Sequence, residues 1–186
     1  MNERAPEVAT ALAEARATVT ALLRDVPDFP KPGVVFRDIA GLLADGDGLR
    51  AAVEALAVLA GDLGPIDLVA GMEARGFMFA APLATRLGVG FVPVRKAGKL
   101  PPPVLSATYE LEYGQATLEV RDGTVPAGAR VLVIDDILAT GGTAAAGVDL
   151  LERAGAHVAG LVFLFEIAEI GGRARLEGHE VRTLLS

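Results

Sequence analysis

The sequence predicts an α/β fold in which one mostly parallel sheet is covered on both faces by helices. Three observations predict it. Apolar runs without alternation recur at 66–70, 131–134 and 158–165, the pattern of strands buried on both sides. Stretches of helical periodicity separate them, so consecutive strands run in the same direction. Apolar residues make up 52% of the 186-residue chain and aromatics only 5%, which suits a single core built from Ala, Val, Leu and Ile.

The elements follow in order. Residues 4–24 read as an Ala-rich amphipathic helix, with Val8, Leu12, Val19, Leu22 and Leu23 as its apolar positions. Pro27, Pro30, Pro32 and Gly33 make 26–35 a rigid, irregular connector. Leu49, Val53, Leu56, Ala60 and Leu63 recur at helical spacing, so 48–63 is a helix laid on the core, ended by Gly64 and Pro65. A strand at 66–70 leads through Gly71 into a helix that Gly88 stops, and 91–94 is the next strand. Residues 96–115, with Pro101, Pro102 and Pro103, read as a long irregular loop. Such loops inside compact domains are usually functional. A third strand at 131–134, a helix at 143–153 and a fourth strand at 158–165 follow, with a last helix and strand over about 169–185.

The net charge of −7 argues against a partner bound through a nucleic-acid backbone, which demands basic surfaces. Charge is uneven, however: between Gly71 and Leu100 there are five bases and one acid. On charge alone this is a solvated face; the alternative is a region that steers a small anion. No cysteine is present, which removes disulfides and thiolate metal sites. No apolar run spans a bilayer, and charges interrupt the first thirty residues, so no signal-peptide core is visible. A cytoplasmic protein without membrane or nucleic-acid partners is the expectation.

Several chemistries drop out. Ser106 and Ser186 are the only serines and neither lies in G-x-S-x-G. His157 and His179 lack metal-ligand spacing. No dinucleotide or Walker-type glycine motif occurs. What remains is Val131-Leu-Val-Ile-Asp-Asp-Ile-Leu-Ala-Thr-Gly-Gly-Thr143. Apolar residues deliver Asp135 and Asp136 to the carboxyl end of a strand, where open α/β sheets bind ligands. Ala139, Thr140, Gly141, Gly142 and Thr143 then open a helix. Glycines admit an anion close to the backbone, and the first helical N–H groups are unpaired donors. The loop suits a phosphate, and the carboxylates suit sugar hydroxyls. For a shorter D-x-x-x-T-G the plain alternative, a capping aspartate and a tight turn, would prevail.

This pattern resembles the phosphoribosyl-pyrophosphate signature of type I phosphoribosyltransferases. Ala139 stands where enzymes acting on hypoxanthine and guanine carry an acid, so the motif looks like the adenine-specific branch. Residues 27–39 (Pro-Asp-Phe-Pro-Lys-Pro-Gly-Val-Val-Phe-Arg-Asp-Ile), 70–77, 94–101 and 109–114 (Tyr-Glu-Leu-Glu-Tyr-Gly) are similar to segments of that branch, in the same order.

The resemblance implies a type I phosphoribosyltransferase fold over 26–186, with a small hood at about 26–45, a flexible active-site loop, and a separate N-terminal helix at 1–25. It implies that adenine and phosphoribosyl pyrophosphate give AMP and pyrophosphate, with Mg²⁺ bound mainly through the substrate and Asp135 and Asp136 reaching it through water. Arg75, Arg95, Lys96, Lys99 and Tyr113 would meet the pyrophosphate, with Arg75 and Lys99 also catalytic. Within a lid at 99–118, Glu112 would be the acid–base partner of the purine and Tyr113 a cover. Glu112 as a solvent-facing strand residue, and Tyr113 as simple packing, are the alternatives. Val35 and Arg37 would meet adenine through their backbone, with Phe36 nearby and Ile167 on the ring; a homodimer is also implied. Rival readings are a phosphoribosyltransferase for another base, a DNA-binding regulator and an inactive scaffold. Ala139, the short N-terminal extension and the intact Arg75, Lys99 and Glu112 argue against them in turn.

Overall fold

The computed structural model describes residues 4–110 and 114–186. Helix α1 (Arg4–Leu22) precedes a two-stranded antiparallel ribbon of β1 (Arg24–Pro27) and β2 (Val35–Asp38). Helices α2 (Ala40–Ala44) and α3 (Gly46–Ala60) follow, then β3 (Leu68–Met72), α4 (Arg75–Leu87) and β4 (Gly90–Lys96). A hairpin of β5 (Val104–Glu110) and β6 (Gln115–Arg121) leads to β7 (Arg130–Leu138), α5 (Gly142–Arg153), β8 (His157–Glu166) and β9 (Val181–Leu185).

Seven strands form one sheet in the order β5-β6-β4-β3-β7-β8-β9. From β4 to β9 neighbouring strands are parallel, and β6 and β5 add an antiparallel edge. The apolar runs are buried on both faces, as expected of a covered parallel sheet. Along β7, Val131 and Val133 enter the core shared with α5 and the hairpin. Leu132 and Ile134 enter the opposite core, under α3 and α4. Residues on α1 reach that second core through Val19, which is fully buried, while most of the helix is exposed. Arg16 also donates to the Leu184 carbonyl at 2.8 Å, so α1 is joined to the main body.

Three expectations are corrected. The 96–115 segment is irregular only in part: residues 97–103 turn and bend as expected, but no further. From Val104 it is a strand, paired over its length with β6 in seven register pairs from Val104↔Arg121 to Glu110↔Gln115. Alternation was there to be read: Ala107 is buried between exposed Ser106 and Thr108, and the prolines that suggested an irregular loop end before the strand begins. The 26–35 connector is likewise bounded by paired strands, because a proline at the end of a short edge strand forfeits no ladder bond. The final helix is two 3-10 turns, Ala168–Ile170 and Gly172–Leu176. Its glycines at 171 and 172 deny it a longer run.

Candidate active site

The strand order reverses at β3: β4 lies on one side and β7 on the other. Ligands bind at such a switch point, outside the carboxyl ends of the strands. Here β3 ends at Met72 and Glu73 follows, while β7 carries Asp135 and Asp136 into the same crevice.

Close backbone approach assembles this crevice. A Cβ on Gly76 would stand 2.9 Å from both Asp135 Oδ1 and the Ile134 carbonyl oxygen, so only glycine lets the start of α4 lie on the end of β7. That contact carries Arg75, the first residue of α4, to the acids: its Nε lies 2.8 Å from Asp136 Oδ2. The pair is electrostatic only. Asp136 Oδ2 is buried and no hydrogen bond of proper direction reaches it among the described residues. Arg75 also lies over the Phe36 ring, 5.1 Å from its centroid. The Asp136 amide donates to Asp135 Oδ1 at 2.9 Å. Burial pushes the Asp135 carboxyl well above the ordinary carboxylate range, and the neighbouring Asp136 charge adds to that. Burial raises Asp136 as well, against the opposing pull of Arg75.

Beyond the acids the chain turns through Gly141, at φ +75°, into α5, whose start no side chain caps. Asp135, Thr140, Gly141 and Thr143 line a cavity of about 110 Å³ here. Its position at a helix start gives it N–H donors, of which that of Gly142 makes a long bond to Thr140 Oγ1 at 3.5 Å. The Thr143 hydroxyl donates to Tyr109 Oη at 3.2 Å, which brings the hairpin to the edge of the loop. A Cβ on Gly141 would come within 2.3 Å of the Gly172 carbonyl oxygen, and one on Gly172 within 2.1 Å of the Ala139 carbonyl oxygen. Two backbones therefore brace each other through paired glycines.

The bases from 95 to 99 gather at the end of β4. Arg95 donates to Glu73 through Nε (3.2 Å) and Nη2 (3.3 Å), and to the Lys99 carbonyl at 3.1 Å. The Lys96 amide donates to Glu73 at 2.8 Å. That amide, then Arg95, holds the Glu73 carboxyl below its usual range. Arg95 is thus committed to a carboxylate, whereas the Lys96 and Lys99 side chains are exposed or at the rim. Glu112 and Tyr113 lie outside the described residues.

A cavity of about 400 Å³ opens between the β1–β2 ribbon and the end of β8. Val35, Arg37 and Ile167 line it as expected, but so do Asp25, Phe165 and Ile170. Phe36 turns away, meeting Phe29 edge-on at 5.3 Å and carrying Arg75. The Arg37 guanidinium sits 5.3 Å from the Phe165 ring centroid. It donates to Asp25 at 2.9 and 3.3 Å, and this bond holds the Asp25 carboxyl below its usual range. Asp25 escaped the sequence reading because its partner is set by cross-strand register, Asp25↔Arg37, in a ribbon not recognised as one. Among the described residues no three His, Cys, Asp or Glu side chains cluster as a metal cage. The buried, unbonded oxygen of Asp136 nevertheless fits a cation that brings most of its oxygen ligands with it.

The phosphoribosyl transferase domain model matches residues 43–184. An adenine phosphoribosyltransferase of Kineococcus radiotolerans is 61% identical over 168 residues, which cover 90% of each chain. One from Clavibacter sepedonicus is 58% identical over 168 residues, covering 90% of this chain and 86% of that one. The crystal structure of the Saccharomyces cerevisiae adenine phosphoribosyltransferase, complexed with an imino-altritol bisphosphate and adenine, superposes with a TM-score of 0.90 at 39% identity. It covers 93% of this chain and 99% of that one.

Proposed function

The chain belongs to the phosphoribosyltransferase family, among the adenine phosphoribosyltransferases, and from that premise we propose how its residues transfer a phosphoribosyl group to adenine. The reaction takes adenine and phosphoribosyl pyrophosphate to AMP and pyrophosphate, a step of purine salvage. One observation carries the assignment of sites: the acid pair and the phosphate loop share a switch point, and Arg75, set against Asp136, reaches the Arg37 carbonyl of the β1–β2 ribbon at 3.5 Å.

In this reading the loop from Ala139 to Thr143 takes the 5′-phosphate on its amides and hydroxyls. Asp135 and Asp136 accept hydrogen bonds from the ribose hydroxyls. Adenine enters the larger cavity, meets the backbone of Val35 and Arg37, and packs on Ile167, with Phe165 behind Arg37. The bond from the anomeric carbon to pyrophosphate breaks as the bond to a purine ring nitrogen forms, through a cationic sugar. Arg75, Lys96 and Lys99 face the charge growing on the leaving pyrophosphate, and Arg95 does so once Glu73 shares it. Glu112 takes or returns the purine proton, and Tyr113 with the hairpin covers the reacting centre against water. Mg²⁺, when bound, shields the pyrophosphate charge, and Asp135 and Asp136 are the residues that would hold it, through water. We further propose that the protein works as a cytoplasmic homodimer, which light scattering tests.

The deciding experiment offers purified protein Mg²⁺, phosphoribosyl pyrophosphate and a panel of adenine, hypoxanthine, guanine, xanthine and orotate. Adenine should be converted far faster than the others. A faster reaction with hypoxanthine or xanthine overturns the base assignment.

A further inference from the structure

The phosphate loop lacks a cation of its own. From Asp135 to Thr143 the chain holds two acids and no base, yet a phosphate monoester carries between one and two negative charges near neutrality. Helix termini supply about half a unit of positive charge. Arg75 is turned to Asp136, and Arg95 is engaged at the end of β4.

Two arginines of the 3-10 turn Gly172–Leu176 differ sharply in what they do. Arg173 is fully employed: it donates to both oxygens of buried Glu166 at 2.8–2.9 Å, to the Val181 carbonyl at 2.8 Å and to Thr183 at 3.3 Å. Arg175 is exposed and makes no hydrogen bond or ion pair among the described residues. Its backbone is nevertheless held in place. Leu176 beside it is buried, and the Gly141–Gly172 backbone contact locks the turn onto the loop. A Cβ on Gly141 would lie 3.3 Å from Arg175 Cβ, and one on Gly142 would lie 3.5 Å from Arg175 Nη1. The Glu110 carbonyl oxygen and the Tyr109 ring border that same point at 3.6 Å. An uncommitted guanidinium therefore stands over the first residue of α5, between the loop and the hairpin.

We propose that Arg175 is a further phosphate-binding residue, which supplies the missing positive charge to the 5′-phosphate of phosphoribosyl pyrophosphate. The proposal rests on the function given above, since it takes that phosphate to occupy the loop. A guanidinium suits the task because its planar fork donates two hydrogen bonds to phosphate oxygens.

The test compares wild type with Arg175→Gln, which keeps much of the stem, and Arg175→Lys, which keeps the charge. Titration calorimetry with ribose 5-phosphate measures the loop directly, and steady-state kinetics vary each substrate against saturation of the other. Arg175→Gln should raise the ribose 5-phosphate Kd and the KM for phosphoribosyl pyrophosphate about tenfold. The KM for adenine and the Tm should stay near wild type, and Arg175→Lys should recover most of the loss. An unchanged Kd and KM in Arg175→Gln would overturn the proposal. So would a fall in Tm with unchanged Kd, which marks a packing role. Ribose 5-phosphate binding does not depend on the base accepted. If Arg175→Gln weakens it while wild type fails to convert adenine, the adenine assignment falls and the phosphate role stands.

Discussion

Arg75 and Asp136 stand 2.8 Å apart, charge against charge, with the acid almost wholly buried and about a third of the arginine side chain open to solvent. The acid oxygen that faces Arg75 accepts no hydrogen bond among the described residues. A buried carboxylate held this way depends on its single cation. Arg75→Met should therefore destabilise the ligand-free protein at neutral pH by about 2 kcal/mol, less than the full cost of breaking a buried pair because solvent screens the arginine. The loss should shrink as acid protonates Asp136. Thermal melts across pH check this; a loss independent of pH would contradict it.

Asp135 sets stability against activity. Its carboxyl titrates well above the ordinary range because burial and Asp136 disfavour its charge. A raised carboxylate pKa means that the folded state holds the proton longer, so stability falls as pH rises from about 4 through the raised value. Asp135→Asn should remove that slope and raise Tm at pH 7 by about 3 °C, while kcat/KM drops at least about a hundredfold. A variant that is both less stable and fully active would refute this account.

Glu73 behaves in the opposite sense. The Lys96 amide, then Arg95, lowers its pKa, so its contribution is present above the unfolded value near 4.3 and lost as pH falls through the lowered one. Glu73→Gln should cost on the order of 1 kcal/mol at pH 7, after discounting for solvent. The difference from wild type should vanish in acid, which chemical denaturation at stepped pH will reveal.

Two left-handed glycines separate conformation from contact. Gly141 and Gly171 both have φ above +70°, but only at Gly141 would a Cβ strike backbone, 2.3 Å from the Gly172 oxygen. Gly171→Ala should cost about 1 kcal/mol for its φ alone. Gly141→Ala should cost at least about 3 kcal/mol and abolish ribose 5-phosphate binding. Equal costs in a pair of urea titrations would remove the bracing role.

The sheet was legible because β3, β7 and β8 are buried on both faces, which leaves unbroken apolar runs such as 131–134. Asp135, Asp136 and the loop were legible because consecutive residues build them. Elements defined by distant partners were not. The β1–β2 ribbon is four residues a side and bordered by prolines, so Asp25 opposite Arg37 left no local trace. Arg175 reaches the loop through glycines thirty-odd positions apart in sequence, Gly141 and Gly172. Backbone contacts of that kind show in composition only as glycine.

The hairpin spans the site from the end of β4 to the phosphate loop. It pairs with the parallel sheet at Arg95↔Glu119 and Lys96↔Leu118, Ala107, Leu118 and Val120 within it are buried, and Glu110 and Gln115 at its far end are exposed. Tyr109, near that end, rests on Thr143. One hairpin thus touches both ends of the crevice, the loop through Tyr109 and Thr143 and the basic end of β4 through Glu119 and Leu118.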